Sequence, residues 1–360
     1  MIKITYIIGR LSYGGAEKLL LDLCRKIDKT KFEITVAVLQ ENNPMKEDFE
    51  AAGVHLEFFN KTNKLDIDVL RRLADYLREV KPDIVHTHLF AGDFWGGRAA
   101  ELAGVKHLIS TKHDMMSQGF WRDRLGRVMR RKFDRVVAIS DAVRTYLIDT
   151  EKISIEKVAL IYNGVDVNRF YRPKSRILQG EGLRIGTVGR LSKEKGQKHL
   201  IRACRFLPEG AWDLTVVGEG PLRAELRDLV DFLGLQSSVK FTGQVEDVRK
   251  YLNEFDVFVL PSISEGLSLA LLEAALAGAF IIATNVGGVP EIIRDRETGL
   301  LFKPKNIEQL LAHLRWVDDH REEARRLARA LQAEVAEKFS IYDVVKRYEA
   351  VYAEVLKNSV

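Results

Sequence analysis

The chain has 360 residues, 46% of them hydrophobic and 30% charged, with a formal net charge of +5 at neutral pH. This apolar content is enough for two ordinary cores, which excludes an intrinsically disordered chain. No run of about 20 apolar residues is present, so no stretch reads as a membrane-spanning helix. The mildly positive charge suits an anionic ligand and does not call for a nucleic-acid partner.

The N-terminal apolar stretch Ile2–Ile8 is too short for a signal peptide and lacks a small-residue cleavage site, so it predicts a first β-strand. The only cysteines, Cys24 and Cys204, are far apart on helical patterns, which excludes a disulfide framework and a cysteine metal cluster. We therefore expect a cytoplasmic protein. Association with the inner face of the membrane stays open.

Short β-branched runs alternate with helical patterns along the whole chain. Several runs are apolar throughout, as expected for parallel strands covered by helices on both faces. The alternation predicts an α/β fold with two Rossmann-like, doubly wound parallel sheets. The predicted strands are Ile2–Ile8, Glu33–Leu39, Asp83–Thr87, His107–Thr111, Arg135–Ile139 and Val158–Tyr162, followed by Leu183–Val188, Asp213–Val217, Val239–Thr242, Asp256–Leu260 and Phe280–Ala283.

The first strand leads into a glycine-containing loop before the first helix. Gly14 and Gly15 allow a bound group to approach the backbone closely, and the free amides of the following helix suit a phosphate. A tight strand-to-helix turn without a ligand explains the same residues equally well.

Two patterns in the first half could suggest a metal. Asp66 and Asp68 are spaced as metal ligands, but they open a helical pattern and are typical of its N-terminal cap. His86 and His88 alternate on a strand and share one face, without a neighbouring acid or cysteine as a third ligand. We predict no metal site and expect structural or acceptor-site roles for both histidines.

The segment Phe120–Arg135 combines an apolar stripe with a basic face. The stripe repeats every four residues through Trp121, Leu125, Met129 and Phe133. Arg124, Arg127, Arg131 and Arg135 line another face. The whole segment holds seven cations, those four with Arg122, Arg130 and Lys132, and two acids, Asp123 and Asp134. A basic amphipathic helix can rest on an anionic bilayer, which would suit a lipid-linked acceptor. A core-facing helix with a solvated basic face explains the pattern equally well.

The strand series is interrupted by a polar segment containing glycine and proline, at about 167–182, which is typical of a linker. It predicts an N-terminal domain at 1–167 and a C-terminal domain at 168–340. The last helical pattern, about 341–360, has no strand after it and is expected to pack back on the first domain. Parallel sheets bind ligands beyond the carboxyl ends of their strands, so two facing sheets predict a site in the cleft between the domains.

In the second half, Arg190 directly follows a predicted strand and Lys195 lies close to the next helix start. Two cations at such a position can hold a diphosphate, the arginine as a fork and the lysine as a point charge. A solvated charge cluster is the less favoured explanation.

The strongest local pattern follows the strand Asp256–Leu260. Glu265 lies in the loop, Ser268 suits a helix N-cap, and Glu273 falls in the second turn of that helix. Two such carboxylates can accept hydrogen bonds from the hydroxyls of two sugar rings, while the helix amides near Leu267–Leu269 can hold a phosphate. The apolar neighbours of Glu273 place it in a packed region, where an unpaired carboxylate would be costly.

Taken together, these residues resemble glycosyltransferase family 4, which comprises retaining enzymes of the GT-B fold. Glu265 and Glu273 match its Glu-x7-Glu signature, and further matches follow in order along nearly the whole chain. They are Tyr13–Glu17, Asp83–His88, His113–Asp114, Ile139–Ser140, Tyr162–Asp166, Val188–Arg190 with Lys195–Gly196, Val217–Pro221 and Gly287–Glu291. Leu267-Ser268 departs from the Phe-Gly that is frequent in relatives.

The resemblance implies roles for these residues. Arg190 and Lys195 would neutralise the diphosphate of a UDP- or GDP-sugar in place of a metal or other cofactor. Glu265 would bind hydroxyls of the transferred sugar, Glu273 the ribose, and the segment Gly243–Asp247 would lie against the base. The substrate-binding set is Gly14, Gly15, Arg190, Lys195, Glu265, Gly266, Leu267, Ser268, Leu269 and Glu273.

His113 would lie near the reacting centre, so the catalytic set is Glu265, His113, Arg190 and Lys195. The N-terminal domain would bind the acceptor, a glycan or a lipid-linked sugar, in polysaccharide or glycoconjugate synthesis. Two alternatives remain open. One is a nucleotide-sugar 2-epimerase of the same fold, and the other is a nucleotide-sugar-binding subunit without catalytic activity.

Overall fold

The computed structural model describes residues 1–61, 66–115, 119–172, 178 and 182–357. The chain divides into two units, one formed by Met1–Gly164 with Ile341–Val360 and the other by Val165–Ser340. Residues 173–177 and 179–181 of the predicted linker, and residues 358–360 of the predicted last helix, lie outside the described residues. The first residues of the predicted linker form a helical turn, Val167–Phe170, in which Phe170 is buried.

The first unit is built on a parallel sheet with the strand order β3-β2-β1-β4-β5-β6-β7. The order reverses on either side of β1, so the switch point lies between β1 and β4. Its strands are β1 (Ile2–Ile8), β2 (Phe32–Val38), β3 (His55–Phe58), β4 (Ile84–His88), β5 (His107–Lys112), β6 (Arg135–Ala138) and β7 (Val158–Leu160).

Helices cover this sheet because their apolar residues recur at helical spacing. In α3, for example, Val69, Leu73 and Leu77 are buried, and Asp66 caps the helix by accepting a hydrogen bond from the Val69 amide at 3.1 Å. The helices are α1 (Gly15–Lys26), α2 (Lys46–Ala51), α3 (Ile67–Val80), α4 (Leu89–Ala91), α5 (Gly97–Ala103), α6 (Phe120–Lys132) and α7 (Asp141–Thr145), with π-helical turns at Gly92–Gly96 and Tyr146–Thr150.

The second unit repeats this plan with the strand order β10-β9-β8-β11-β12-β13. The switch point lies between β8 and β11. The strands are β8 (Leu183–Val188), β9 (Trp212–Val217), β10 (Val239–Gly243), β11 (Val257–Leu260), β12 (Phe280–Thr284) and β13 (Leu300–Phe302). The helices are α8 (Val167–Phe170), α9 (Gln197–Cys204), α10 (Arg223–Phe232), α11 (Arg249–Leu252), α12 (Leu269–Leu276), α13 (Ile307–Asp319) and α14 (Arg321–Lys338).

The last helix, α15 (Ile341–Lys357), supplies part of the interior of the first unit. Tyr348 and Tyr352 are almost completely buried, and the Tyr352 hydroxyl lies 2.8 Å from the Tyr6 hydroxyl of β1. Large buried aromatic side chains of this kind dominate core energetics. The core of the first unit is therefore completed by residues that follow the whole of the second unit in sequence.

The predicted α/β class with two Rossmann-like parallel sheets is confirmed. Two edge strands, β3 and β13, are absent from the prediction. Among the residues that the structure describes, no helix has both the length and the hydrophobicity to cross a membrane.

Candidate active site

Gly14 and Gly15 lie where β1 leads into α1, at the N-terminus of that helix. The carboxylate of Glu17 reaches back over this end, so a Cβ added to Gly14 would clash with it, and Ser12 donates a hydrogen bond to the same carboxylate at 2.7 Å. A phosphate here would share the helix end with a negative charge. The Glu17 carboxylate therefore makes this helix end less favourable for a phosphate than the sequence predicts.

Arg190 and Lys195 occupy one short loop at the carboxyl end of β8. The Arg190 side chain is exposed, and its carbonyl oxygen accepts a hydrogen bond from Gln197 Nε2 at 2.9 Å. Lys195 ends a 3₁₀ turn and is followed by Gly196 with a φ of +66°. A Cβ at Gly196 would clash with the carbonyl oxygen of Pro261, so glycine lets this loop pack against the loop after β11.

That approach brings Lys195 to Glu265. Lys195 Nζ lies 2.6 Å from Glu265 Oε1, and the Ser262 hydroxyl donates to the same oxygen at 2.6 Å. The backbone adds a bond from the Ile263 amide to the Glu194 carbonyl at 2.7 Å. Ser262 is fully buried and Glu265 is 8% exposed. Within the described ranges, no residue hydrogen bonds to Glu265 Oε2, which leaves this oxygen able to accept from a ligand hydroxyl.

The α12 helix starts directly after this loop. Ser268 caps it by accepting a hydrogen bond from the Leu271 amide at 3.3 Å, as the sequence predicts. The carbonyl of Gly266 accepts from the Gly288 amide at 3.1 Å, which joins the loop to the glycine-containing segment after β12. Leu267, Leu269 and Glu273 are all buried. The α12 N-terminus and both predicted glutamates thus lie in one part of the second unit.

His113 directly follows β5 in the first unit. Its hydrogen-bond partner was not predicted from the sequence. Its Nε2 lies 3.0 Å from Nδ1 of His88, the last residue of the neighbouring strand β4. His86 and His88 share one face of β4 as predicted, with their rings stacked at a centroid distance of 4.7 Å. The described residues contain no group of three or more histidine, cysteine or acidic side chains that could hold a metal ion.

Burial controls the charge of these histidines, because low polarity disfavours the protonated form. Burial, followed by the charge of His113, lowers the pKa of His86 to about 3. Burial lowers the pKa of His113 to about 4, although Asp114 opposes the shift. Burial, with smaller contributions from His86 and His113, holds the pKa of His88 well below its usual range. All three rings are therefore neutral at physiological pH.

The α6 helix differs from its prediction in two ways. Only Met129 and Phe133 of the apolar stripe are buried, whereas the first turns expose apolar side chains to solvent. The exposed fractions are 70% for Phe120, 71% for Trp121, 43% for Leu125 and 46% for Val128.

Arg130, which is counted among the seven cations of this segment, is not solvated, since it is 3% exposed and paired with two acids. Its Nη1 lies 2.6 Å from Asp93 Oδ2, and its Nε and Nη2 each lie 2.7 Å from an oxygen of Glu151. Asp93 also accepts hydrogen bonds from Thr87 and Ser110. Buried charges require such pairing. Lys132 at the end of α6 pairs with Glu101, and Arg135 is the first residue of β6 and pairs with Glu354, so the basic surface of α6 is smaller than predicted.

Two family profiles match consecutive parts of the chain. The profile "Glycosyltransferase Family 4" matches residues 13–169, and the profile "Glycosyl transferases group 1" matches residues 169–333. The first covers most of the sheet of the first unit. The second covers the loops that carry Arg190, Lys195, Glu265 and Glu273.

Similar proteins agree with these profiles. EpsF of Bacillus subtilis (strain 168), which is designated a glycosyltransferase, is 28% identical over 302 residues, 77% of each chain. The UDP-Gal:alpha-D-GlcNAc-diphosphoundecaprenol alpha-1,3-galactosyltransferase of Escherichia coli is 24% identical over 99% of this chain and 98% of its own. The crystal structure of Anabaena HepE in complex with UDP-glucose superposes with a TM-score of 0.88 at 23% identity, covering 99% of this chain and all of HepE. With two Rossmann-like units and both profiles matched in order, the chain belongs to glycosyltransferase family 4 and has the GT-B fold.

Proposed function

We propose that the chain transfers a sugar from a UDP-sugar to a glycan or lipid-linked acceptor, with retention of anomeric configuration and without a metal ion. The observation that carries this proposal is the contact between Lys195 and Glu265 beside the N-terminus of α12. The contact brings together a cation, the Glu265 carboxylate with its Oε2 not hydrogen bonded, and the N-terminal turn of α12. HepE, crystallised with UDP-glucose, and the galactosyltransferase named for UDP-Gal support a UDP-linked donor over a GDP-linked one.

The chemistry requires stabilisation of a departing diphosphate. The bond from the anomeric carbon to the phosphate oxygen breaks, and negative charge develops on the diphosphate. Arg190, Lys195 and the α12 amides offset this charge as fixed donors, without transferring a proton. In this scheme Lys195 turns from Glu265 towards the diphosphate when the donor binds, and Glu265 accepts from sugar hydroxyls. The contacts of Lys195 with the diphosphate and of Glu265 with the sugar then replace the ion pair between these two residues.

Retention without a covalent intermediate places the acceptor on the same face as the leaving group. The acceptor hydroxyl forms the new bond to the anomeric carbon, and its proton passes to an oxygen of the departing diphosphate. His113, in the first unit, is proposed to hydrogen bond near the reacting centre. Neither step draws on a metal ion.

The direct test incubates the purified chain with UDP- and GDP-sugars and candidate acceptors, in EDTA and in Mg²⁺. We expect UDP release that depends on an acceptor, equals product formed and is unchanged by EDTA. Nuclear magnetic resonance of the product should show the anomeric configuration of the donor. Loss of activity in EDTA with recovery in Mn²⁺ would overturn metal independence, and an inverted product would overturn retention.

The same assay separates the alternatives. An epimerase would alter the donor sugar without any acceptor, and a binding subunit would retain UDP-sugar without turnover. The comparisons favour neither alternative, because the relatives reported above are glycosyltransferases.

We also propose that α6 contacts an anionic membrane surface peripherally. The helix exposes Phe120 and Trp121 in its first turn and the cations Arg122, Arg124 and Arg131 along its length. Aromatic rings enter the headgroup region while arginines contact lipid phosphates, and binding of this kind depends on anionic lipid. A lipid-linked acceptor would be reached from this position.

Vesicle co-sedimentation tests the membrane contact. Reversing charge in Arg124→Glu with Arg131→Glu should abolish binding to vesicles containing anionic lipid, since each basic residue near such a surface contributes about 1 kcal/mol. Trp121→Ser should weaken binding without altering its dependence on anionic lipid. The matched control is Lys346→Glu with Arg347→Glu, which makes the same charge change on exposed residues of α15. Equal losses in both double variants would reduce the effect to overall charge and remove α6 from the proposal.

A further inference from the structure

His88 and His113 come together because parallel strands end at the same edge of a sheet. In the register of β4 and β5, His88 lies opposite Thr111, and His113 stands just beyond it. The rings are 5.3 Å apart between centroids, and Nδ1 of His88 meets Nε2 of His113 at 3.0 Å. This bond fixes the direction of the His113 ring, since only its Nδ1 is left to meet a ligand.

The surroundings of the two rings differ sharply. His88 is completely buried, with the His86 ring stacked on it and the Tyr6 ring 5.7 Å away. Its Nε2 is buried without a hydrogen-bond partner. His113 is half-buried and lines a cavity of about 20 Å³, together with Lys112, Asp114 and Arg122. A cavity of this size holds about one water molecule or one ligand oxygen.

The proton of the hydrogen bond can lie on either ring. Each neutral imidazole carries one N–H and one bare nitrogen, and the partner of one nitrogen decides the tautomer of both. If His113 donated, His88 would carry its own proton on Nε2, leaving a buried N–H without an acceptor. Orphaned buried N–H groups are the rarer kind of unsatisfied polar group in proteins. The structure therefore favours His88 as the donor and His113 Nε2 as the acceptor.

We propose that His88 is a positioning residue that fixes both the orientation and the tautomer of His113, so that His113 presents an N–H donor at Nδ1. A ring in this form donates a hydrogen bond to an oxygen of the substrate, and it cannot accept a proton at that atom. Its ligand is an oxygen with a free lone pair, such as a sugar or phosphate oxygen. The tautomer stands on the geometry of the first unit alone, whereas its effect on transfer rests on the proposed function.

The tautomer can be measured without any substrate. In protein labelled with ¹⁵N-histidine, long-range ¹H–¹⁵N spectra distinguish proton-bearing from bare ring nitrogens, and His113→Gln identifies the His113 signals. We expect a single His113 tautomer with the proton on Nδ1. A proton on Nε2 of His113 in the unaltered chain would overturn the proposal.

Two variants of His88 separate positioning from packing. His88→Asn places an amide near the position of Nδ1 and can still donate, so His113 should keep its tautomer and most of its activity. His88→Leu fills the space without a donor, so His113 should show mixed tautomers and kcat should fall about 10-fold with UDP affinity unchanged. Thermal unfolding reports whether both variants fold.

The outcomes are distinguishable from failure of the proposed function. If the chain transferred no sugar, the spectra would still decide the tautomer. A His113 tautomer that is unchanged in the folded His88→Leu variant would show that His88 does not control it. Equal loss of activity in the asparagine and leucine variants would assign His88 a packing role.

Discussion

Replacing Glu265 by glutamine is expected to lower kcat/KM about 100-fold, because the substitution removes the charged acceptor that is proposed for the sugar hydroxyls. Glutamine has nearly the same shape and can keep the hydrogen bond from Ser262, so the loop should remain folded. Lys195 loses its ionic partner but is 26% exposed at its side chain, and water can solvate it. Activity should thus fall with little change in the unfolding temperature.

The measurement is steady-state transfer with UDP-sugar, alongside UDP binding by calorimetry. Glu265→Gln should affect kcat more than UDP affinity, since the transferred sugar and not the nucleotide is the proposed partner of this residue. Glu273→Gln should show the opposite balance, with weakened UDP binding, because its proposed partner is the ribose. Glu297→Gln is the matched control, a carboxylate of the same unit that is 67% exposed at its side chain. Turnover in Glu273→Gln equal to that of the unaltered chain would remove the assigned nucleotide site.

Replacing Lys195 by glutamine is expected to lower kcat by about 10²–10³, the usual effect of removing one fixed donor from a developing negative charge. Arg190→Ala should give a loss of similar size, since both cations are proposed to face the diphosphate. Glutamine at position 195 can still donate to Glu265, which limits the cost of leaving this nearly buried carboxylate without its cation.

The control for both cations is Arg326→Ala, which removes a positive charge from an arginine of α14 that is 73% exposed at its side chain. It should leave kcat and UDP binding unchanged. Thermal unfolding of each variant separates lost chemistry from lost folding. A Lys195→Gln variant with normal kcat would mean that the lysine serves only to hold Glu265 in place.

Most of the sheet framework could be predicted because buried parallel strands are apolar on both faces. Ile2–Ile8 and Leu183–Val188 are predicted with their observed bounds. The edge strands β3 and β13 were missed for the opposite reason. His55–Phe58 is half-exposed, and Leu300–Phe302 spans only three residues, so neither has the apolar run of an interior strand.

The residues of the candidate site could be predicted from the sequence, but the contacts between them could not. The order of motifs identified Lys195 and Glu265 separately, while their pairing depends on which strands are neighbours and on the close approach at Gly196. Spacing within one segment carries no information on such partners. The same holds for Arg130, whose burial depends on Asp93 and Glu151 from other elements. One signal was available for His88: if β4 and β5 are taken as neighbours, His88 at the end of β4 and His113 just after β5 are expected at the same edge of the sheet.

The two tyrosines of α15 have a consequence for biosynthesis. Residues 165–340 must be translated before Ile341 emerges, which takes roughly 10–35 seconds at about 5–20 residues per second. Throughout that interval the nascent first unit lacks Tyr348 and Tyr352, so the Tyr6 side chain of β1 lacks the α15 residues that pack around it. Ribosome-bound chains of this protein therefore expose apolar surface that the full chain buries. Expression of residues 1–164 by themselves would leave the same surface open permanently.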